Sequence, residues 1–169
     1  MSRDSLWQQL EHTLRTKIDA FNGVAGVSVK SFNSGNSISI NGDEIFPTAS
    51  TIKIHILAKL FHLEEQGEID LSKRIRFTPD KYGSGSGIIH FLENDPEFTT
   101  LDVAILMMLA SDNTATNTCI DIAGIEGIND LIRDMGLSET KLRRKMMEPD
   151  SINRGDENIS TPNELVLMM

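Results

Sequence analysis

The sequence predicts a two-layer α/β fold built from an N-terminal helix, a β-hairpin and a helical subdomain, and three observations carry that prediction. Leu6, Leu10, Leu14 and Ile18 recur every four residues, which places them on one face of a helix. The stretches VAGVSVKSF and SISING alternate apolar and polar residues on either side of NSGN, as a hairpin with one buried face does. Two helical segments then follow closely within TTLDVAILMMLASDNTATNTCIDIAG. At 169 residues the chain fits a single domain, 1–169, with a sizeable core.

The elements divide that domain into parts. Residues 1–49 hold the first helix, flanked by Trp7 and Phe21 and stopped by Asn22-Gly23, and the hairpin of residues 24–42, expected to pack on it. Residues 50–67 form a second helix that ends near Gly67. The helical subdomain, 68–150, opens with GEIDLSKRIRFTPDKYGSGSG, which reads as a polar loop. YGSGSG has no following Lys-Ser or Lys-Thr, so it reads as a flexible turn rather than a phosphate loop. Thr99 and Asp102 make a capping box for a helix whose body, Leu101 to Ala110, is apolar almost all round and is expected to be buried. A further helix, Ile125 to Met135, stops at Gly136, and an irregular segment runs over 138–160. The last part, 151–169, is a loop and the start of a helix with Thr161 as cap, Pro162 in the first turn and Glu164 completing a box. Its apolar run reaches Met169 without a polar turn, so a cut helix is expected there, with the remaining sheet strands absent. A hairpin left with an unpaired edge would favour oligomers.

The run FPTASTIKIHILAKLF, residues 46–61, contains Lys53 in an apolar setting. At 100° per residue His55, Lys59, His62 and Gln66 cluster within about 60° as a solvent stripe, and Lys53 lies about 160° from His55. It therefore points inward, where desolvation lowers the pKa of an amine. Ser50, three residues earlier, shares its face, and a serine beside a desolvated amine is a nucleophile with a base. Ser138 and Lys141 have the same spacing in polar, cationic surroundings that would not deprotonate a lysine. The competing reading makes Ser50 or Thr51 an N-cap and lets Lys53 snorkel outward along its stem.

Net charge −9 argues against a nucleic-acid partner and against docking on an anionic membrane. No segment is long and apolar enough to span a bilayer. The cluster KLRRK, residues 141–145, reads as a local partner for carboxylates. Cys119, the single cysteine, reads as a buried structural thiol. The four histidines lack metal-ligand spacing, so neither a metal nor another cofactor is expected. The residues after Met1 lack the apolar core of a signal peptide, which implies a cytoplasmic protein if Met1 is the natural start and a secreted one if a leader was removed.

Ser111-Asp112-Asn113 lies between two helices, and each residue type makes a good N-cap. Because the preceding helix is itself expected to be enclosed, the three polar groups are also placed to face a cleft shared with Ser50 and Lys53. With STIK and SDN about 60 residues apart in this order, the chain resembles the class A β-lactamases and penicillin-binding serine acyltransferases, whose signature is S-x-x-K, S-D-N and a later K-T-G. The resemblance runs from the first helix to Met169 and implies a β-lactamase-like fold. It implies Ser50 as the acylated nucleophile, Lys53 as base or proton relay, Ser111 as proton donor to the departing nitrogen and Asn113 as holder of the substrate amide. Asp112 would be structural, and the Ser50 N–H half of an oxyanion hole. The substrate would be a β-lactam or related small-molecule amide, and antibiotic resistance a consequence.

The chain departs from the family pattern in two places that bear on chemistry. It contains no K-T-G, so the chain by itself is expected to be inactive. The loop glutamate that activates the deacylating water corresponds to Glu148, followed by Pro149, but Asn153 falls five residues after it where the family has four. Glu148 is thus either the deacylating carboxylate or a loop carboxylate paired with Arg143 or Arg144. Three readings follow: a serine hydrolase; a non-hydrolytic or slowly deacylating penicillin- or peptide-binding module of the same fold; and a structural helical module whose polar groups are all caps.

Overall fold

The computed structural model describes residues 3–169, apart from the side chains at positions 3, 4 and 152. Helices α1 (Arg3–Asp19), α2 (Lys53–Glu65), α3 (Thr100–Leu109), α4 (Asn113–Ala123), α5 (Ile125–Asp134), α6 (Pro149–Arg154) and α7 (Pro162–Leu167) alternate with short strands. The strands are β1 (Val27–Lys30), β2 (Ser37–Ile40), β3 (Phe46–Pro47), β4 (Arg74–Arg76), β5 (Glu97–Thr99) and β6 (Ile159–Ser160). They divide between two compact units: the residues up to Phe46 together with Thr161–Met169, and Pro47–Ser160.

In the first unit β1 and β2 form the expected antiparallel hairpin, with Val27 opposite Ile40 and Lys30 opposite Ser37. Alternation works as the pattern requires: Ile38 and Ile40 are buried while Ser37 and Ser39 face out. Helix α7 packs on β1. It begins as its sequence predicts, with the Thr161 hydroxyl accepting from the Glu164 N–H and Pro162 in the first turn. The α1 stripe is covered less than its spacing suggests. Leu6 and Leu10 border a shallow groove with the Ser31–Asn36 turn yet stay exposed, and Leu14 and Ile18 are half-buried.

The second unit is organised around α2, which packs against α3, α4 and α5. Ile52, Ile56, Leu60 and Leu63 recur at three- and four-residue spacing and meet Val103, Met107, Ile120, Ile128 and Ile132 in a core that excludes water. Each such side chain contributes about 1.5–3 kcal/mol of burial. Cys119 is fully buried in the same core, as expected. Arg74–Arg76 and Glu97–Thr99 make an antiparallel ribbon with Ile75 opposite Phe98. The first of these segments reads as loop in sequence, because a three-residue strand with one apolar residue carries almost no periodic signal.

Two expectations need correction. His55 is buried rather than on a solvent stripe, because helices cover α2 on several sides and leave no continuous polar face. Helix α3, capped by the predicted Thr99–Asp102 box, is enclosed on one side only: Val103, Ala104 and Met107 are inside, whereas Leu101, Ile105, Met108 and Leu109 are exposed. Among the described residues no helix is long and apolar enough to cross a membrane.

Candidate active site

Ser50 lies in a single 3-10 turn, Ala49–Ile52, that leads directly into α2 at Lys53. The turn is tied down from below. Thr48 donates its N–H and its hydroxyl to the Asn158 carbonyl at 2.8 and 3.1 Å, and the Thr51 hydroxyl donates to the Thr48 carbonyl at 2.6 Å. Ala49 takes a left-handed φ of 45°, a conformation costly for a residue with a Cβ and held here by these bonds. Neither Ser50 nor Thr51 caps the helix, so that alternative fails. Ser50 therefore keeps an exposed hydroxyl on a rigid support.

Lys53 does not snorkel. It is 2% exposed, and its ammonium donates to the Ser111 carbonyl at 2.8 Å and to Ser111 Oγ at 2.9 Å. Ser111 Oγ in turn lies 2.8 Å from Ser50 Oγ. The amine thus reaches Ser50 through the second hydroxyl. Burial pushes the Lys53 pKa below its ordinary value, with the Asp112 charge pulling the other way. Ser111 holds a φ of 51° in the bend between α3 and α4, which turns both its oxygens toward the amine. The decoy lysine, Lys141, is exposed.

Asp112 is fully buried and caps α4. One carboxylate oxygen accepts from Ala115 N–H at 2.9 Å, and the other from Ile88 and Ile89 N–H at 2.7 and 2.9 Å. It ties the loop before Ile89 to the helix start. Gly87, at φ 135°, makes that possible, since a Cβ there would collide with the Asp112 carboxylate. Asn113 donates its side-chain amide to the Ser84 carbonyl at 3.0 Å and its backbone N–H to the Ser86 carbonyl at 2.9 Å. The YGSGSG stretch is accordingly a fixed wall beside Asn113 rather than a free turn. The glycines that suggested flexibility admit a close backbone approach instead.

The segment 138–160 brings Glu148 and Asn153 into view and shows residues that sequence reasoning missed. Three asparagine side chains hold its first half: two clamp it to α5 and α4, and the third, Asn158, ties it to the end of the segment. Asn129 exchanges two bonds with Leu142, and Asn117 exchanges two with Met146. Asn158 accepts from the N–H groups of Arg143 and Arg144 and donates to the Arg144 carbonyl. Asn158 is buried and also receives Thr48, so one residue joins this loop to the turn that carries Ser50. No motif pointed to these residues; a signal exists only in their being amides in otherwise apolar or irregular context.

Glu148 is exposed just before α6, and its carboxylate accepts from the Ser151 hydroxyl at 2.6 Å. It is not paired with Arg143 or Arg144: Arg144 pairs with Glu157 at 2.7 Å instead. Asn153 is exposed on α6. The structure therefore joins Ser50, Lys53 and Ser111 in one bonded chain, sets Asp112 and Asn113 directly behind them, and bonds Glu148 to its own helix. Among the described residues no cluster of three or more His, Cys, Asp or Glu is arranged to hold a metal.

Comparison with known proteins assigns the family. A profile described as the beta-lactamase enzyme family matches residues 8–169. The chain belongs to that family. It is 30% identical over 167 residues to the beta-lactamase CARB-4 of Pseudomonas aeruginosa, covering 98% of this chain and 58% of the relative. Its fold matches the crystal structure of a beta-lactamase from Sphaerobacter thermophilus with a TM-score of 0.85 at 31% identity, over 94% of this chain and 59% of that one. It also matches a mutant of PBP-A described as an acyl-enzyme complex with penicillin G, TM-score 0.84 at 30% identity, over 96% of this chain and 60% of that one. The beta-lactamase fold predicted from STIK and SDN is thus the fold observed, and the chain spans little more than half the length of these relatives.

Proposed function

We propose that this chain carries the acylating half of a β-lactamase-type serine hydrolase, and that Ser50 forms an acyl-enzyme with a β-lactam or a related amide. The observation that supports it best is the unbroken path Ser50 Oγ, Ser111 Oγ, Lys53 Nζ, with steps of 2.8 and 2.9 Å. In its deprotonated form, which burial favours, Lys53 keeps one N–H on the Ser111 carbonyl and turns its lone pair to the Ser111 hydroxyl. As Ser50 Oγ attacks the carbonyl carbon, its proton passes to Ser111 Oγ and the Ser111 proton passes to Lys53. On collapse of the tetrahedral intermediate the Ser111 hydroxyl delivers its proton to the departing nitrogen and is reprotonated by Lys53, which returns to its neutral form. The Ser50 N–H serves as one oxyanion donor. Asn113, with one amide hydrogen held by Ser84, keeps its other N–H and its carbonyl for the substrate amide. The likeness to the PBP-A acyl-enzyme complex supports the same chemistry here.

Deacylation is proposed to be slow, which brings the protein close to the alternative reading, a binding module that traps its ligand. One oxygen of Glu148 accepts from Ser151, which fixes the carboxylate's position, and a carboxylate that is to aim a water must be placed closely, since a misplacement of about 1 Å can cost about 10²-fold. Asn153 would assist only if α6 turned it toward the ligand. Because the sequence has no K-T-G, turnover is proposed for a protein in which such a strand accompanies this chain, and the 169 residues alone are proposed to be inactive. The test follows a chromogenic β-lactam under single-turnover and steady-state conditions in such a protein, with intact mass reporting the Ser50 adduct. A burst with a persistent adduct, abolished by Ser50→Ala, is expected. Fast turnover without an adduct, lost on Glu148→Gln, would overturn slow deacylation; no adduct and no turnover would overturn the acyl-enzyme itself.

A further inference from the structure

A groove of about 740 Å³ opens on the second unit between the Arg74–Lys81 segment and the outer side of α4. Lys73, Arg74, Arg76, Lys81 and Lys145 line it, with Asp80 and Asp121 the acidic members of the lining. Five of the sixteen lysines and arginines thus face one concavity in a chain of net charge −9, against which random scatter of surface charge would leave a negative wall. Arg74 and Arg76 lie on the same face of β4, both more than half exposed, and share a single carboxylate, that of Glu97, at 3.5 and 2.9 Å. Lys145 is paired with Asp121 at 2.5 Å. Lys81 donates only to the Arg76 carbonyl among the described residues, and Lys73 takes part in no ion pair there.

We propose that this groove binds an oligoanion: a short extended molecule carrying two or more phosphate or carboxylate groups. Arg74 and Arg76 each turn Nε to one oxygen of the Glu97 carboxylate, at 3.5 and 2.9 Å, and guanidinium groups are the side chains best suited to receive carboxylate or phosphate. Glu97 is outside the groove lining but holds both guanidinium groups, so the ligand's first anionic group competes with its carboxylate for them. A second group falls to Lys73 or Lys81, which interact with the Asp70 and Asp80 charges without forming an ion pair among the described residues, and Ile75, Tyr82 and Ile122 line the wall for the spacer between them. The volume suits a ligand of that size. The groove is lined from Lys73 to Lys145 and includes none of Ser50, Lys53, Ser111 or Asn113, so the proposal stands apart from the acyl-enzyme reading.

Titration with inorganic tripolyphosphate and with a tetraglutamate peptide, read by calorimetry and by amide NMR shifts, tests it. Saturable binding is expected at about 10 mM salt, with loss at about 1 M as the screening length falls from about 30 to about 3 Å. Tighter binding by tripolyphosphate would assign a phosphate-bearing ligand, and tighter binding by the peptide a carboxylate-bearing one. Lys73→Glu and Lys81→Glu each exchange an attraction for a repulsion and are expected to weaken binding by about five- to thirtyfold. Glu97→Gln removes the competing carboxylate and is expected to tighten it. Folded charge-reversal variants that bind as the parent does, Glu97→Gln binding no better, or the absence of saturable binding by either probe would overturn the proposal.

Discussion

Replacing Asp112 by asparagine changes one oxygen to an amide nitrogen at a fully buried site. The carboxylate accepts three backbone N–H bonds, from Ile88, Ile89 and Ala115, at 2.7 to 2.9 Å. Asparagine offers a single acceptor atom. If its oxygen takes the two loop donors, the Ala115 cap bond is lost and the new amide hydrogens face that N–H; the opposite orientation loses two bonds. A hydrogen bond to a charged acceptor contributes about 1.5–3 kcal/mol, and the bonds retained weaken as the acceptor becomes neutral, so the less damaging orientation still costs about 2–4 kcal/mol. That is a large share of the ~5–15 kcal/mol by which a domain is usually stable. Urea unfolding followed by far-UV circular dichroism should show a midpoint lowered by about 1–2 M for a slope near 2 kcal/mol per molar. Hydrogen exchange should show the Ile88 and Ile89 amides losing protection first, since they join the loop to α4 through this carboxylate. Midpoints that agree within about 0.3 M, together with unchanged protection at both amides, would refute the claim that the carboxylate holds the loop.

Lys53 provides a pH-dependent test. Between its lowered pKa and the ordinary 10.5, the unfolded chain binds a proton that the folded chain has lost, so stability relative to Lys53→Met should rise with pH across that window and be flat below it. Urea midpoints of the two proteins over a pH series measure this, and a difference that falls toward pH 10.5 contradicts it. Asn158→Ala leaves the Arg143 and Arg144 N–H groups without their acceptor and should destabilise the unit by about 2–4 kcal/mol, with limited proteolysis shifting into segment 138–160; Asn158→Asp keeps the acceptor and should lose less. Equal proteolysis of all three proteins would remove Asn158 from its clamping role. Burial pushes the Cys119 thiol up to about 12, so a thiol reagent should leave the native protein unmodified near pH 8 and react once urea unfolds it. Rapid native labelling would show that the core around α4 opens.

Much of this protein was legible in its sequence because the relevant signals are local. The hairpin follows from alternation around NSGN and the starts of α3 and α7 from capping boxes, whereas Lys53 is inward as expected although His55, from which its angle is measured, is buried as well. STIK and SDN at their observed separation were enough to point to the family, because each motif needs a particular bend at a helix start, and short segments specify such bends. Burial was less well determined. Composition alone made α3 look enclosed, but whether an apolar face is covered depends on which elements reach it, and only the assembled helices show that Ile105 and Leu109 face outward while Val103 and Met107 face in.

What the tertiary structure alone decided are the contacts between residues distant in sequence. Ser111 stands between Ser50 and Lys53 because the α3–α4 bend meets the start of α2, a distance of hydrogen-bond accuracy that no spacing encodes. The asparagine clamps exist because irregular backbone at 142–146 must satisfy its N–H and carbonyl groups, and amides on α4, on α5 and at Asn158 happen to lie opposite. The groove with five cations likewise gathers residues from 73 to 145 that look ordinary in isolation. Sequence therefore determined the kinds of elements and the motifs at their ends, through periodicity and backbone preference. Packing determined which polar groups meet, because desolvation and hydrogen bonding act between neighbours in space.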